Sequence, residues 1–210
     1  MNKGNLDRVY AAHGDTQMRQ IYDEWADQYD ADLASSSYVT PRRVAEALAR
    51  QMPHRDAAIM DYGCGTGLSG KALQAAGFST IDGVDLSAKM LRVAQQQAVY
   101  RKLNLVEPNT EAPAFLSDYA AIAAIGVISR GAAPASLFGA ILGRMRADAL
   151  LAVSINDMSL ADPGYRDLVS DAGEAGLIEV LCAEHGPHLE KYGENSGSTV
   201  FILKRTAKPQ

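Results

Sequence analysis

Cysteine is scarce in this 210-residue chain: Cys64 and Cys182 stand far apart, with no paired spacing. That excludes a disulfide scaffold and a cysteine-built metal site, and makes a reduced, cytoplasmic setting the expectation. Long apolar runs are missing too. Nothing approaches the roughly 18 consecutive apolar residues of a membrane span, so no membrane partner is expected. The opening segment, 1–15, is polar and mixed in charge, unlike a signal or transit peptide. Positive charge is in deficit, with 20 Lys and Arg against 25 Asp and Glu and a net charge of −5. The pairs Arg42-Arg43 and Arg101-Lys102 are too small to reverse this, and a nucleic-acid backbone is excluded as the main partner. No repeat, low-complexity tract or Pro/Gly/Ser linker interrupts the chain. With 47% hydrophobic and 21% charged residues, residues 1–210 read as one globular domain able to bury its own core.

What is present is alternation. Residues 1–52 read as a helical lid. Met18, Ile21, Tyr22, Trp25 and Tyr29 fall at three- and four-residue steps on one helical face. Thr40-Pro41 predicts a second helix, with Thr40 as its cap and the apolar face Val44, Ala45, Leu48 and Ala49. Residues 53–210 read as a sheet core. Strands are expected near 57–62, 80–84, 103–106, 119–125, 149–155, 178–184 and 199–204. Helices are expected near 67–76, 87–99, 134–147 and 163–175, with Ser87 capping the second. The pattern predicts an α/β fold: a Rossmann-like, seven-stranded, mostly parallel sheet with helices on both faces. The last two strands are joined only by the polar loop 185–198. They should therefore form an antiparallel hairpin at one edge.

The most informative segment is Asp61-Tyr62-Gly63-Cys64-Gly65-Thr66-Gly67, which closes the first strand. Alternating glycines permit a sharp turn and close approach of a ligand to the backbone. Asp85, at the end of the second strand, supplies the lone carboxylate that grips ribose hydroxyls in a nucleoside-binding half-sheet. Two registers are possible. Gly63-x-Gly65-x-Gly67 suits S-adenosylmethionine; Gly65-x-Gly67-x-x-Gly70 also satisfies the dinucleotide fingerprint. Asp61 favours the first. A diphosphate wants bare N–H groups and a helix dipole, whereas sulfonium and ammonium cations welcome a nearby carboxylate. The rival readings are an NAD(P)-dependent oxidoreductase and a non-catalytic module that binds S-adenosylmethionine. Cys64 invites a nucleophile reading, but no histidine is placed to activate it; it reads as a small filler of the cofactor loop.

These residues resemble the class I S-adenosylmethionine-dependent methyltransferases over nearly the whole chain. Within them the chain is similar to a small methyltransferase-like group, that of the Williams–Beuren-region methyltransferase. The group's N-terminal signature Tyr-x-x-Trp-Ala-x-x-Tyr-Asp stands here as Tyr22 to Asp30. Asp61 to Gly67 and Val84 to Leu91 match as well. The resemblance implies that Gly63, Gly65 and Gly67 pass under the methionine part of the cofactor and that Asp61 binds its ammonium. Asp85 would accept the ribose hydroxyls, with Leu86 and Met90 flanking the adenine. Asn104, or failing it Glu107, would bind the adenine amine. Gly126 would mark where the methyl meets its acceptor. Tyr29 is the candidate for the cofactor carboxylate, with Arg19, Arg42 or Arg43 as its cation and Trp25 as core.

Relatives often carry histidines after that glycine; Ser129 and Arg130 stand here instead, which leaves the general base unassigned. The Asn/Asp-Pro-Pro-Tyr motif for amide or exocyclic nitrogens is absent. A small-molecule acceptor is therefore expected. His185 and His188, with no third ligand, read as loop residues rather than a metal pair. With Tyr192 they are candidates for lining the acceptor pocket. Asn156 and Asp157 should lie on the same sheet edge.

Overall fold

In a computed structural model, residues 8, 15–35, 37–107, 112–189 and 196–207 are described. Tyr192 and, Arg8 apart, the segment 1–14 lie outside them. The strands are β1 (Ile59–Tyr62), β2 (Ile81–Asp85), β3 (Lys102–Leu105), β4 (Ala121–Ala124), β5 (Leu150–Asn156), β6 (Ile178–Pro187) and β7 (Gly197–Arg205). Their spatial order is β3-β2-β1-β4-β5-β7-β6. The first five pair in parallel, and β7 runs antiparallel to both β5 and β6. The hairpin is present, but its second strand is inserted against β5 and leaves β6 at the rim. β6 also runs on through His185 to Pro187, so the connection is shorter than the predicted polar loop.

Side chains alternate across the sheet with the two-residue period of a strand. Ile59 and Ala121 face a layer formed by α2 (Thr40–Gln51) and α3 (Leu68–Ala75), where Val44, Leu48, Leu73 and Phe78 are buried. Met60 and Ile122 face the opposite layer, which holds α5 (Ser136–Arg144) with Phe138 and Ile141. Burial on both faces explains why these strands read as continuous apolar runs. α2 thus belongs to the sheet's own helical layer rather than to a lid, because its stripe of Val44, Ala45 and Leu48 is fully buried there. Thr40 does not cap it. Its hydroxyl instead meets His188 Nδ1 at 2.8 Å and Ser198 Oγ at 3.1 Å. Ser87 does cap α4 (Ala88–Gln96), accepting from the Met90 N–H. The helix expected over 163–175 is broken into α7 (Pro163–Arg166) and α8 (Leu168–Glu174), after a single turn α6 (Asp157–Leu160).

Among the described helices, α1 (Asp15–Ser35) stands apart. Met18, Ile21, Trp25, Leu33 and Leu189 form a cluster of their own above the sheet.

Candidate functional site

The strand order reverses between β1 and β4, and ligands of open α/β sheets collect beyond the carboxyl ends of the strands at such a point. Here that place holds a cavity of about 420 Å³, within the roughly 300–1,000 Å³ usual for small-molecule sites. Gly63, Gly65, Asp85, Leu86, Met90, Gly126 and Tyr29 line it. Residues from four loops and from α1 thus converge on one space.

The turn after β1 is built from left-handed backbone. Gly63, Gly65 and Gly67 have φ of +74°, +53° and +97°, which side-chain-bearing residues rarely adopt. Gly70 is helical, so the three left-handed positions follow the first glycine register. A Cβ on Gly63 would come within 2.5 Å of Val127, whereas one on Gly65 would meet nothing within 4 Å and would project into open space. Gly67 and Cys64 support the turn from outside the cavity. Cys64 is buried, and burial, with Asp61 and Asp85 nearby, holds its thiol well above the ordinary range. A neutral thiol is a poor nucleophile.

Asp61 lies beneath the turn and is fully buried. Its Oδ2 accepts hydrogen bonds from Ser69 Oγ at 2.6 Å and from the Tyr100 hydroxyl at 2.7 Å. Its Oδ1 has no partner among the described residues. Burial pushes the carboxyl up to about 6, the two hydroxyl donors pull it down, and Asp85 adds to the rise. An unpartnered buried acceptor costs roughly 1–3 kcal/mol, more when charged; Asp61 itself does not line the cavity but lies behind Gly63 and Gly65, which do.

Asp85 is held from the backbone: Oδ2 accepts from the Gly65 N–H at 2.8 Å and Oδ1 from the Ser87 N–H at 2.9 Å. Burial raises its pKa and those bonds lower it. Each oxygen keeps a second lone pair. One strand further on, Asn104 is exposed within β3, in register with Val84, and is not part of the cavity wall. Val106 and Glu107 line the cavity instead. The reason is positional: ligands meet residues beyond a strand's end, and Asn104 still belongs to the ladder.

α1 crosses these strand ends and is pinned to the loop after each of β1 to β4. Asp30 accepts from Thr66 Oγ1, and Asp23 accepts from Ser87 Oγ. Arg19 contacts Glu107 at 3.4 Å, and the Tyr22 hydroxyl donates to the Gly131 carbonyl at 3.3 Å. Met18, Arg19, Tyr22 and Tyr29 thereby roof the cavity. Trp25 is buried, its Nε1 donating to Asp32 at 2.8 Å, with Tyr22 and Tyr29 packed on its ring. The arginines divide. Arg19 sits at the β3 side with Glu107, Arg42 pairs with Glu46 on the surface, and Arg43 ties α2 to the carbonyls of Glu184, Pro187 and Ser198.

The remaining candidates do not reach the cavity wall. His185 Nε2 lies 2.9 Å from Asp157 Oδ1, and Asn156 caps α6 through the Ser159 N–H. His188 packs edge-on against Tyr38, and burial lowers its pKa to about 4. Ser129 is buried, and Arg130 pairs with Asp162. Conversely, Val127, Ala132, Ala133, Pro134, Leu137 and Ala140 form an apolar wall. No motif marked them, because they converge from a loop and one face of α5.

Residues 59–137 match the family model described as a methyltransferase domain, and the sheet order is that of a Rossmann-like fold. The chain is 38% identical over 133 residues to methyltransferase-like protein 27 of Homo sapiens. That match takes in 60% of this chain and 54% of the relative, so the chain spans about half the relative's length. Among solved structures, it resembles a chain in the complex of the Haloferax volcanii Trm112 methyltransferase activator with a methyltransferase. The TM-score is 0.64 and the identity 15%, over 89% of this chain and 98% of that one. It also resembles an S-adenosylmethionine-dependent methyltransferase from Mesorhizobium loti, with TM-score 0.56 and 14% identity over 77% and 98% of the two chains.

Proposed function

We propose that the chain transfers a methyl group from S-adenosylmethionine to a small-molecule acceptor inside the lidded cavity. The observation that carries this reading is the pair of carboxylates on either side of a left-handed glycine turn, Asp61 fully buried and Asp85 half-buried at the cavity wall. Asp61 keeps an unpartnered oxygen. Two carboxylates at this turn would repel a diphosphate and suit a cofactor that carries positive charge at one end and ribose hydroxyls in the middle.

In this reading Asp85 accepts the ribose hydroxyls through the lone pairs that the Gly65 and Ser87 N–H groups leave over. Leu86 and Met90 hold the adenine, with Glu107, in place of Asn104, beside its amine. Gly63 and Gly65 let the methionine chain lie against the backbone, and Tyr29 faces its carboxylate. The cofactor supplies the electrophilic methyl. The protein aligns the acceptor near Gly126 and excludes water, and alignment alone is worth roughly 7–11 kcal/mol. The described residues lining the cavity include no histidine or lysine, so the acceptor would arrive with its own nucleophilicity. The roof of α1 and the apolar wall favour a small acceptor over a macromolecule.

Calorimetric titration with S-adenosylhomocysteine tests the cofactor. The wild type should bind saturably, and Asp85→Ala should weaken binding by at least about 100-fold, two hydrogen bonds to a charged group being worth about 3 kcal/mol or more. Saturable NADH binding with none for S-adenosylhomocysteine would overturn the reading. A screen of small amines, phenols, thiols and carboxylic acids for S-adenosylhomocysteine release then addresses the acceptor.

A further inference from the structure

Tyr100, in the loop before β3, belongs to no motif, yet three elements close around it. A Cβ on Gly67 would lie 3.3 Å from its ring, one on Gly70 2.4 Å and one on Gly83 3.1 Å. These glycines come from the turn after β1, from α3 and from β2, and together they leave a slot that the phenol ring fills. Its hydroxyl donates to Asp61 Oδ2 at 2.7 Å and accepts from the Gly70 N–H at 3.2 Å. Ser69 donates to the same carboxylate oxygen. Turning the Asp61 carboxylate would therefore break two hydrogen bonds at once, while Oδ1 is left without a partner.

We propose that Tyr100 is a positioning residue of the cofactor site: its ring sets the spacing of the glycine turn, and its hydroxyl fixes one oxygen of Asp61 so that the other is reserved for a cationic group of the ligand. The inference rests on the methyl-donor reading above and deepens it. The groups acting on Asp61 are Ser69 from α3, Tyr100 from the loop before β3 and Asp85 from β2. No cation is among them, and the one charged neighbour is of like sign. The missing positive charge is then the ligand's own ammonium. The Tyr100 hydroxyl is itself raised by burial and by the charge of Asp61, so it stays protonated and remains a donor throughout the working pH range.

The test is the pH dependence of S-adenosylhomocysteine binding in the wild type, Tyr100→Phe and Ser69→Ala, between pH 5 and 8, with thermal melts confirming that each is folded. Binding should weaken as Asp61 protonates, near pH 6 in the wild type. The sign is fixed: losing a donor to a carboxylate raises its pKa, so in Tyr100→Phe the midpoint moves to higher pH. A shift of about one unit would cost about fivefold in affinity at pH 6, approach about tenfold at pH 5 and recover to within about twofold by pH 8. A loss that is equal at every pH, or no loss, overturns the inference while leaving the cofactor reading intact. Should Tyr100→Phe not fold, Ser69→Ala, which removes the other donor to the same oxygen, must move the midpoint the same way; an unmoved midpoint overturns the inference. Absence of binding in the wild type at every pH overturns the methyl-donor reading, and this inference with it.

Discussion

Two neighbouring glycines separate what a turn owes to backbone shape from what it owes to ligand space. At Gly63, φ is +74° and an added Cβ would strike Val127. Gly63→Ala should destabilise the fold by about 1–3 kcal/mol, read as a lower midpoint in urea, and should also weaken S-adenosylhomocysteine binding. At Gly65 an added Cβ meets no protein atom, and the N–H that holds Asp85 survives the change. Gly65→Ala should cost only the left-handed strain of about 1–2 kcal/mol, with a proportionally larger loss of affinity because the methyl enters the cavity. Equal effects on affinity at both positions would contradict the assignment of Gly65 to the ligand surface. At this scale the sequence was legible where chemistry sits within a few residues of a signal. Asp61, the alternating glycines and Asp85 all announce themselves locally. Tyr100 does not, because its partner Asp61 lies 39 residues away and nothing in Ala98-Val99-Tyr100-Arg101 marks it. Glu107 lines the cavity and Asn104 does not for a related reason: the sequence marks β3 only weakly, and the end of the strand decides which side chain meets the cavity.

α1 behaves as a separate element. Its apolar face packs in its own cluster with Leu189 rather than in either sheet-facing core, and its polar face is pinned by Asp23, Asp30, Arg19 and Tyr22. The double variant Asp23→Ala, Asp30→Ala removes two side-chain hydrogen bonds, each worth about 0.5–1.5 kcal/mol. Because the sheet core does not depend on them, the melting temperature should fall by only a few degrees. S-adenosylhomocysteine should dissociate at least about fivefold faster in stopped-flow displacement, since the roof opens more often. A large fall in melting temperature with unchanged dissociation would show that α1 is structural rather than a cover. The helix itself was readable from Met18, Ile21, Tyr22, Trp25 and Tyr29. Its placement across four loops was not, because each latch joins residues distant in sequence.

Across the whole molecule, the C-terminal hairpin is bound to the first helical layer through His188, Thr40, Ser198 and Arg43. Burial depresses the His188 imidazole from 6.5 to about 4, with Arg43 adding to the effect and Asp157 opposing it. A base depressed on folding contributes stability that is present above its unfolded pKa of about 6.5 and is lost as pH falls through the folded value. Asp61 works in the opposite sense, losing stability as pH rises from about 4 to 6. The difference between wild type and His188→Asn removes this common term. That stability advantage should shrink by about 2–3 kcal/mol between pH 7 and pH 4 in denaturant titrations. A constant difference across this range would place the imidazole in solvent.

By itself the sequence determined the alternation of strands and helices, the antiparallel final pair and the glycine turn flanked by two acids, because each depends on side-chain period or on backbone freedom within a short span. The tertiary structure decided which residues share the cavity, that α2 belongs to the sheet's helical layer, that β7 is inserted beside β5, and that Tyr100 seats in the glycine slot. Those outcomes rest on contacts between residues tens of positions apart, and such contacts are settled by how whole layers pack.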